Sequence, residues 1–324
     1  MNETVRMTDV RSTQEASPMD VDADVAVFED APQPLAREAA RPSPAPRRDA
    51  LLMCAPDYFA VDYIINPWME NQIGRATPSR ARSQWENLRN KLAAHGDIAF
   101  VAPTPGLPDM VFTANAGLAI DDKAVVSRFL ARERRPEERR FRDWFEAQGY
   151  AIAPWPENVP FEGAGDALVD HARDIVWCGH GWRSGAEAPK HLERIFSRRT
   201  IALKLVDPRF YHLDTSFCPL SGGWLIYYPA AFDIASLEAI RAIVPVEKRI
   251  EVGEKDALAF ACNAVERAGR IFLNACSDEL RALLTDAGFT PVATPLSEFM
   301  KAGGAAKCLT LRLPGAARQV TPRG

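Results

Sequence analysis

Nothing constrains this chain of 324 residues more than a repeat period of nearly fifty. Five segments read as a strand followed by a polar turn: PDMVFTANAG around Asn115, FEGAGDAL around Glu162, YHLDTSFCPL around His212, ALAFACNAV around Asn263 and GGAAKCLTLRL around Cys308. Successive members lie 47, 50, 51 and 45 residues apart, and YIINPWM with Asn66 lies 49 residues before Asn115. Such a period means one supersecondary unit used several times. Asn66 opens the first unit and Cys308 completes it, so about five α/β units are expected to close on themselves. In a closed ring the edges are short and the matching turns meet near the axis. Polar residues from distant stretches then face one another. A linear α/β sheet is the alternative arrangement.

Between the turns, strand-like and helix-like patterns alternate. Runs rich in β-branched and aromatic residues mark strands at Ile98–Pro103, Ala124–Ser127, Asp174–Gly179, Ile201–Val206, Trp224–Tyr228 and Arg270–Ala275. Helical spacing marks Pro136–Gln148, Ala186–Ser197, Ala235–Val244 and Ser277–Ala287, with Pro136 in a first turn, Ser277 as an N-cap and Gly288 as a stop. Residues 1–48 differ. Six prolines and a single aromatic residue, Phe28, cannot bury enough apolar surface to offset the entropy of ordering. A disordered tail over 1–48 and one catalytic domain over 49–324 are expected.

Composition excludes several functions. A net charge of −4 argues against a nucleic-acid footprint. No run of eighteen apolar residues occurs, so no membrane span is expected. The first thirty residues lack the apolar core of a secretory signal and carry eight acids, unlike a transit peptide. A cytoplasmic location follows, in which the six cysteines are reduced thiols. None forms a C-x-x-C pair, no metal-ligand spacing supports a metal at His212, and no phosphate-binding glycine loop occurs. No metal and no cofactor are expected; a homo-oligomer is compatible with the sequence.

The converging turns supply the chemistry. Asn66, Asp109, Asn115, Glu162, Asp166, His212, Asp214 and Cys308 form the set. A thiol, an imidazole and a carboxylate together make a nucleophile, a general acid/base and an orienting group. Gly303, Gly304, Ala305 and Ala306 lead into Cys308 and let a ligand approach the backbone closely. His212 is read as opening a strand, which would place Asp214 on the same face. His95, His171, His180 and His191 sit on polar segments and are expected to face solvent. Arg128, Arg134 and Arg183 are candidates for anchoring a substrate carboxylate, although Arg134 lies in RERRPEERR, a pattern typical of a solvated face. Several carboxylates around one thiol suit a planar cation, whose fork of donors carboxylates accept. Asp109, Asp214 and Glu162 could grip a guanidinium with its central carbon against the Cys308 sulfur.

LLMCAPDYF–VDYIINPWM, LPDMVFTANAG, FEGAGDAL, CGHGWRSG, YHLDTSFC and GGAAKCLTLRL resemble the guanidino-group-modifying superfamily of arginine deiminases, dimethylarginine hydrolases and amidinotransferases. The likeness covers roughly Leu51 to Leu313 and is closest to the arginine dihydrolases. It implies a fivefold pseudosymmetric α/β propeller (pentein) of ββαβ-type repeats. It also implies Cys308 as nucleophile, His212 as general acid/base, Glu162 as carboxylate partner, Asp214 on the guanidinium, and Asn66, Asn115, Arg134 and Arg183 lining the substrate site. A small guanidino or ureido compound is the implied partner. Asn115 departs from the acidic residue usual in deiminases. An amide there would let a neutral ureido group bind, so that arginine is hydrolysed twice to ornithine, ammonia and carbon dioxide. Dimethylarginine hydrolase, deiminase and amidinotransferase activities are the rivals, with a catalytically silent binding protein from a different class. A papain-like protease is disfavoured, because His212 precedes Cys308.

Overall fold

Every period of the sequence builds the same small unit. The structure, a computed structural model, describes residues 50–314; the tail expected over 1–48 lies outside them. The strands are β1 (Ala50–Cys54), β2 (Ile98–Val101), β3 (Gly117–Ile120), β4 (Lys123–Val126), β5 (Ala151–Ile152), β6 (Ala167–Asp170), β7 (Ile175–His180), β8 (Thr200–Lys204), β9 (Phe217–Pro219), β10 (Leu225–Tyr227), β11 (Arg249–Glu251), β12 (Val265–Arg267), β13 (Arg270–Leu273), β14 (Thr290–Ala293) and β15 (Leu311–Leu313). Among the described residues they form five sheets of three strands. In each, a central strand pairs antiparallel on one side and parallel on the other: β4 between β3 and β5, β7 between β6 and β8, β10 between β9 and β11, β13 between β12 and β14. The remaining sheet joins both ends of the described chain, with β1 antiparallel to β15 and parallel to β2.

Parallel neighbours need a crossover, usually a helix. The helices are α1 (Pro78–Ala93), α2 (Arg135–Ala147), α3 (Ala188–Phe196), α4 (Ile234–Ile243), α5 (Glu254–Leu258), α6 (Asp278–Asp286) and α7 (Ser297–Met300). Helices α1, α2, α3, α4 and α6 each carry the chain from a central strand to its parallel partner. Helix α1 buries Ala81, Trp85, Leu88 and Leu92, one apolar stripe at helical spacing. The Asp233 carboxylate accepts from Ser236 N and caps α4, and the Ser277 hydroxyl accepts from Leu280 N and caps α6. Gly288, at φ +91°, takes the left-handed turn that ends α6.

The turns precede the strands; the expected order, strand then turn, is reversed. Single 3-10 turns at Thr113–Ala116, Gly163–Gly165 and Leu213–Thr215 lead into β3, β6 and β9, and Asn263 and Cys308 stand just before β12 and β15. Each turn bonds to a neighbour. Asn115 Nδ2 donates to Glu162 O (3.1 Å), Leu213 N to Asp166 Oδ1 (3.0 Å), and Asn263 Nδ2 to Asp214 O (3.0 Å). Cys308 N donates to Asn263 Oδ1 (3.1 Å), and Ala114 N to Cys308 O (3.1 Å). The chain of bonds thereby returns to its starting turn. Asn66 is not one of these turns: it caps a 3-10 turn at Pro67–Met69 in the loop after β1.

Apolar side chains fill the space around the turns. Trp177, Phe217 and Tyr227 belong to one buried cluster, Phe141, Phe145 and Phe161 to a second, and Phe59, Phe112 and Phe299 to a third. No helix among the described residues is long and apolar enough to cross a membrane.

Candidate active site

Seven of the nine expected site residues line one small cavity: Asn66, Asp109, Asn115, Arg134, Arg183, His212 and Cys308. It holds about 270 Å³ of space between atoms, its solvent-facing mouth included. The other two contact lining residues, Glu162 the His212 ring and Asp214 the Cys308 sulfur. Glycines make this crowding feasible. A Cβ on Gly165 would lie 2.3 Å from Asn115 Nδ2 and 3.4 Å from His212 Cγ. Gly303 has φ +83°, and a Cβ there would lie 2.7 Å from the Tyr211 hydroxyl.

Cys308 is buried in the last turn. Asn263 Nδ2 donates to its sulfur at 3.1 Å, and the sulfur lies 3.5 and 3.6 Å from the two Asp214 carboxylate oxygens. Burial and the Asp214 charge push the thiol upward, against the Ala305 N–H, the Asn263 amide and the Lys307 charge. Burial likewise pushes Asp214 up to about 7, although Lys307, the thiol and Asn263 oppose it. His212 does not open a strand. It precedes the turn Leu213–Thr215, so the shared strand face expected for His212 and Asp214 does not exist. The turn instead sends the two side chains to different partners.

His212 Nε2 lies 2.7 Å from Glu162 Oε2, which also accepts from Arg183 Nη1 at 3.0 Å. Glu162 Oε1 accepts from Leu130 N at 3.3 Å. Burial alone would raise this carboxyl, but Arg183 and His212 hold it well below the usual carboxylate range. With both oxygens engaged, Glu162 is not free to grip a guanidinium, as one expectation had it; it orients the imidazole. Behind it, Ser184 Oγ accepts from Glu162 N (3.0 Å) and donates to Asp166 Oδ2 (2.6 Å). Burial pushes Asp166 up to about 6.

Arg134 contradicts the solvated-face reading. It is 3 % exposed, and Glu137 accepts its Nε and Nη2 at 3.0 and 2.8 Å. Its Nη1 donates to Asn115 Oδ1 at 2.8 Å, which fixes the orientation of that amide. Arg183 is equally buried; its Nη2 donates to Ile65 O at 2.6 Å and its guanidinium lies over the Tyr211 ring. Arg128 is not part of the site, because it pairs with Glu138 at a half-exposed position. Of the other histidines His171 is exposed, and His95, His180 and His191 are half-buried.

Asp109 is 1 % exposed, accepts from the Tyr63 hydroxyl through Oδ2 at 2.8 Å, and has an Oδ1 with no hydrogen-bond partner. Burial raises its carboxyl, against the Arg134 guanidinium and the Tyr63 hydroxyl. An unpaired carboxylate oxygen at a cavity wall is a receptor for a cationic N–H group. Sequence reasoning did not assign Asn263, Ser184, Tyr63 or Glu137 to the site. The repeat register pointed to Asn263, which stands in the same turn series as Asn115 and Cys308; nothing in spacing distinguishes the others. Taken together, the cavity brings a buried thiol, a carboxylate-held imidazole and carboxylate oxygens to one place.

A family model described as N,N dimethylarginine dimethylhydrolase, eukaryotic, matches residues 56–313. The bifunctional arginine dihydrolase/ornithine cyclodeaminase AgrE of Nostoc sp. is 49 % identical over 266 residues, 82 % of this chain and 38 % of that protein. The chain thus spans under two fifths of that cyanobacterial relative and of its counterpart ArgZ from Synechocystis sp.. The N(G),N(G)-dimethylarginine dimethylaminohydrolase of Mycobacterium tuberculosis is 39 % identical, over 85 % of this chain and 88 % of that protein. Among solved structures, the product-bound N-terminal domain of the arginine dihydrolase ArgZ superposes with a TM-score of 0.82 at 48 % identity, covering 83 % of this chain and 98 % of that one. A match along nearly all of the described residues, to the family model and to full-length relatives alike, settles the lineage: the chain belongs to the dimethylarginine dimethylaminohydrolase family.

Proposed function

We propose that this protein is a cytoplasmic arginine dihydrolase that converts arginine and two waters to ornithine, two ammonia and carbon dioxide. The observation that carries the reading is one small cavity walled by the Cys308 sulfur, the His212 ring and the unpaired Asp109 Oδ1. Asp109 and Asp214 hold the guanidinium, whose positive charge offsets the two buried carboxylates. The Cys308 thiolate attacks the guanidino carbon, and His212, oriented by Glu162, delivers a proton to the departing ammonia. Water, deprotonated by His212, then opens the thiouronium and frees the sulfur. The resulting ureido group stays bound because Asn115 presents an amide instead of another negative charge. A second attack expels the second ammonia, and water releases a carbamate that loses carbon dioxide. Asn66, Arg134 and Arg183 line the rest of the site. Every step runs through side chains and water.

The fold reading extends in the same way: five alike sheets and a closed circuit of bonded turns support a fivefold pseudosymmetric propeller, one catalytic domain over 49–324. A second activity, hydrolysis of dimethylarginine, is favoured by one observation, the near full-length match to the Mycobacterium tuberculosis relative. The test incubates the protein with arginine, citrulline, agmatine and dimethylarginine, and measures ammonia, ornithine and methylamines. Two ammonia per arginine is expected. Dimethylamine as the main product would transfer the assignment to the rival, and a Cys308→Ser variant with full turnover would remove the covalent route.

A further inference from the structure

Around Cys308 the two strongest influences, burial and the Asp214 carboxylate, oppose a negative sulfur. The thiol is buried, the Asp214 carboxylate faces it, and the Tyr211 hydroxyl and His212 ring share its cavity. Lys307 is a charged group that favours the anion, and its ammonium donates to Ala164 O at 3.2 Å. The nearest polar contact to the sulfur is neutral and comes from the preceding unit: Asn263 Nδ2, 3.1 Å away.

Asn263 is 0 % exposed, and every polar end of its side chain is used. Oδ1 accepts from Cys308 N (3.1 Å) and from Ala305 N (3.0 Å). Nδ2 donates to Asp214 O (3.0 Å) as well as to the sulfur. The two backbone bonds fix which way the amide faces. An amide turned over would set its NH2 group against two N–H donors, so the NH2 end must point at the sulfur. The bond to Asp214 O ties the same amide to the turn that carries the opposing carboxylate.

We propose that Asn263 is the positioning residue of the nucleophile: its amide oxygen holds the Cys308 turn, and its N–H group supplies a side-chain donor that stabilises the negative sulfur. The inference rests on the reading of Cys308 as nucleophile. It explains how a thiolate forms beside a carboxylate without an adjacent cation in hydrogen-bond contact.

The experiment follows alkylation of Cys308 by iodoacetamide against pH, without substrate, by the mass of the peptide that contains it. A hydrogen bond to a charged group is strong enough that its loss moves a titration by about one pH unit or more. Asn263→Ala should shift the alkylation midpoint upward by that amount, slowing reaction about tenfold at a fixed pH below it. Asn263→Asp keeps the shape and adds a like charge, so its shift should be larger. A merely structural role would lower thermal stability and leave the midpoint in place; an unmoved midpoint in either folded variant overturns the proposal. Should both variants fail to fold, the unsubstituted protein decides. Its Asn263 side-chain amide nitrogen resonance should titrate with the alkylation midpoint and stay still in Cys308→Ser; a resonance that ignores thiol ionisation also overturns the proposal. Neither measurement uses turnover. An active Cys308→Ser would remove the nucleophile while leaving the midpoint test intact, so the two failures are separable.

Discussion

Asp214→Asn is expected to stabilise the fold above neutral pH and to remove turnover. The wild-type carboxyl is fully buried, and its rise from 3.8 to about 7 comes first from loss of solvent. Lys307, the Cys308 thiol and Asn263 offset only part of that cost. At 1.36 kcal/mol per pH unit the rise corresponds to about 4 kcal/mol. Below about pH 4 the carboxyl is protonated in folded and unfolded chains alike, and the substitution gains nothing through charge. Between there and pH 7 the unfolded chain ionises first, so wild-type stability falls as pH rises, and above about pH 7 the loss is complete. Asparagine has the same shape and no charge to strand. At about 2 °C per kcal/mol for a body of this size, the melting temperature should rise by about 8 °C at alkaline pH. Thermal melts of both proteins near pH 4 and near pH 9, with ammonia release from arginine in parallel, measure the effect. A gain of the same size at both pH values, or a less stable variant at alkaline pH, would refute the argument that the site holds an electrostatically strained carboxylate.

Two further substitutions probe the rest of the cavity. Glu137→Ala leaves the buried Arg134 guanidinium without its two-point partner, which should cost about 3–5 kcal/mol in urea unfolding and raise KM as Arg134 releases Asn115. Asn115→Asp keeps the acceptor for Arg134 but turns a carboxylate oxygen toward Glu162 O. Arginine should then yield one ammonia with citrulline as product, and two ammonia per arginine would end the ureido-binding account of Asn115.

Much of the architecture was legible because it repeats. Once the period was found, Cys308, His212 and Asn115 fell into equivalent turns, and the pairing of β15 with β1 followed from the need to complete the first unit. Four helices were equally readable, with α2, α3, α4 and α6 within one or two residues of their expected spans, but the longest, α1 over Pro78–Ala93, has no counterpart among the expected helices. Two-residue strands such as β5 carry too little pattern to be seen. The order of turn and strand was misread because the apolar run of Met110, Val111 and Phe112, which reads as a strand, belongs to the 3-10 turns that precede β3. Arg134 misled for a related reason. A basic run looks solvated, and the burial of one member depends on Glu137 lying one helical turn away beneath Asn115, a tertiary fact that composition does not encode. Asp109 and Tyr63 are 46 residues apart, and no local rule connects them.

The pairing of β1 with β15 has a consequence for biosynthesis. The sulfur at position 308 leaves the ribosome after every group it works with, and its turn, held by Asn263, completes the circuit to Ala114 when the final described strand docks on the first. Contacts spanning so much of the chain close slowly. Until they do, the emerging polypeptide displays carboxylates without the thiol they surround, so on the proposed mechanism an unfinished molecule lacks its attacking group.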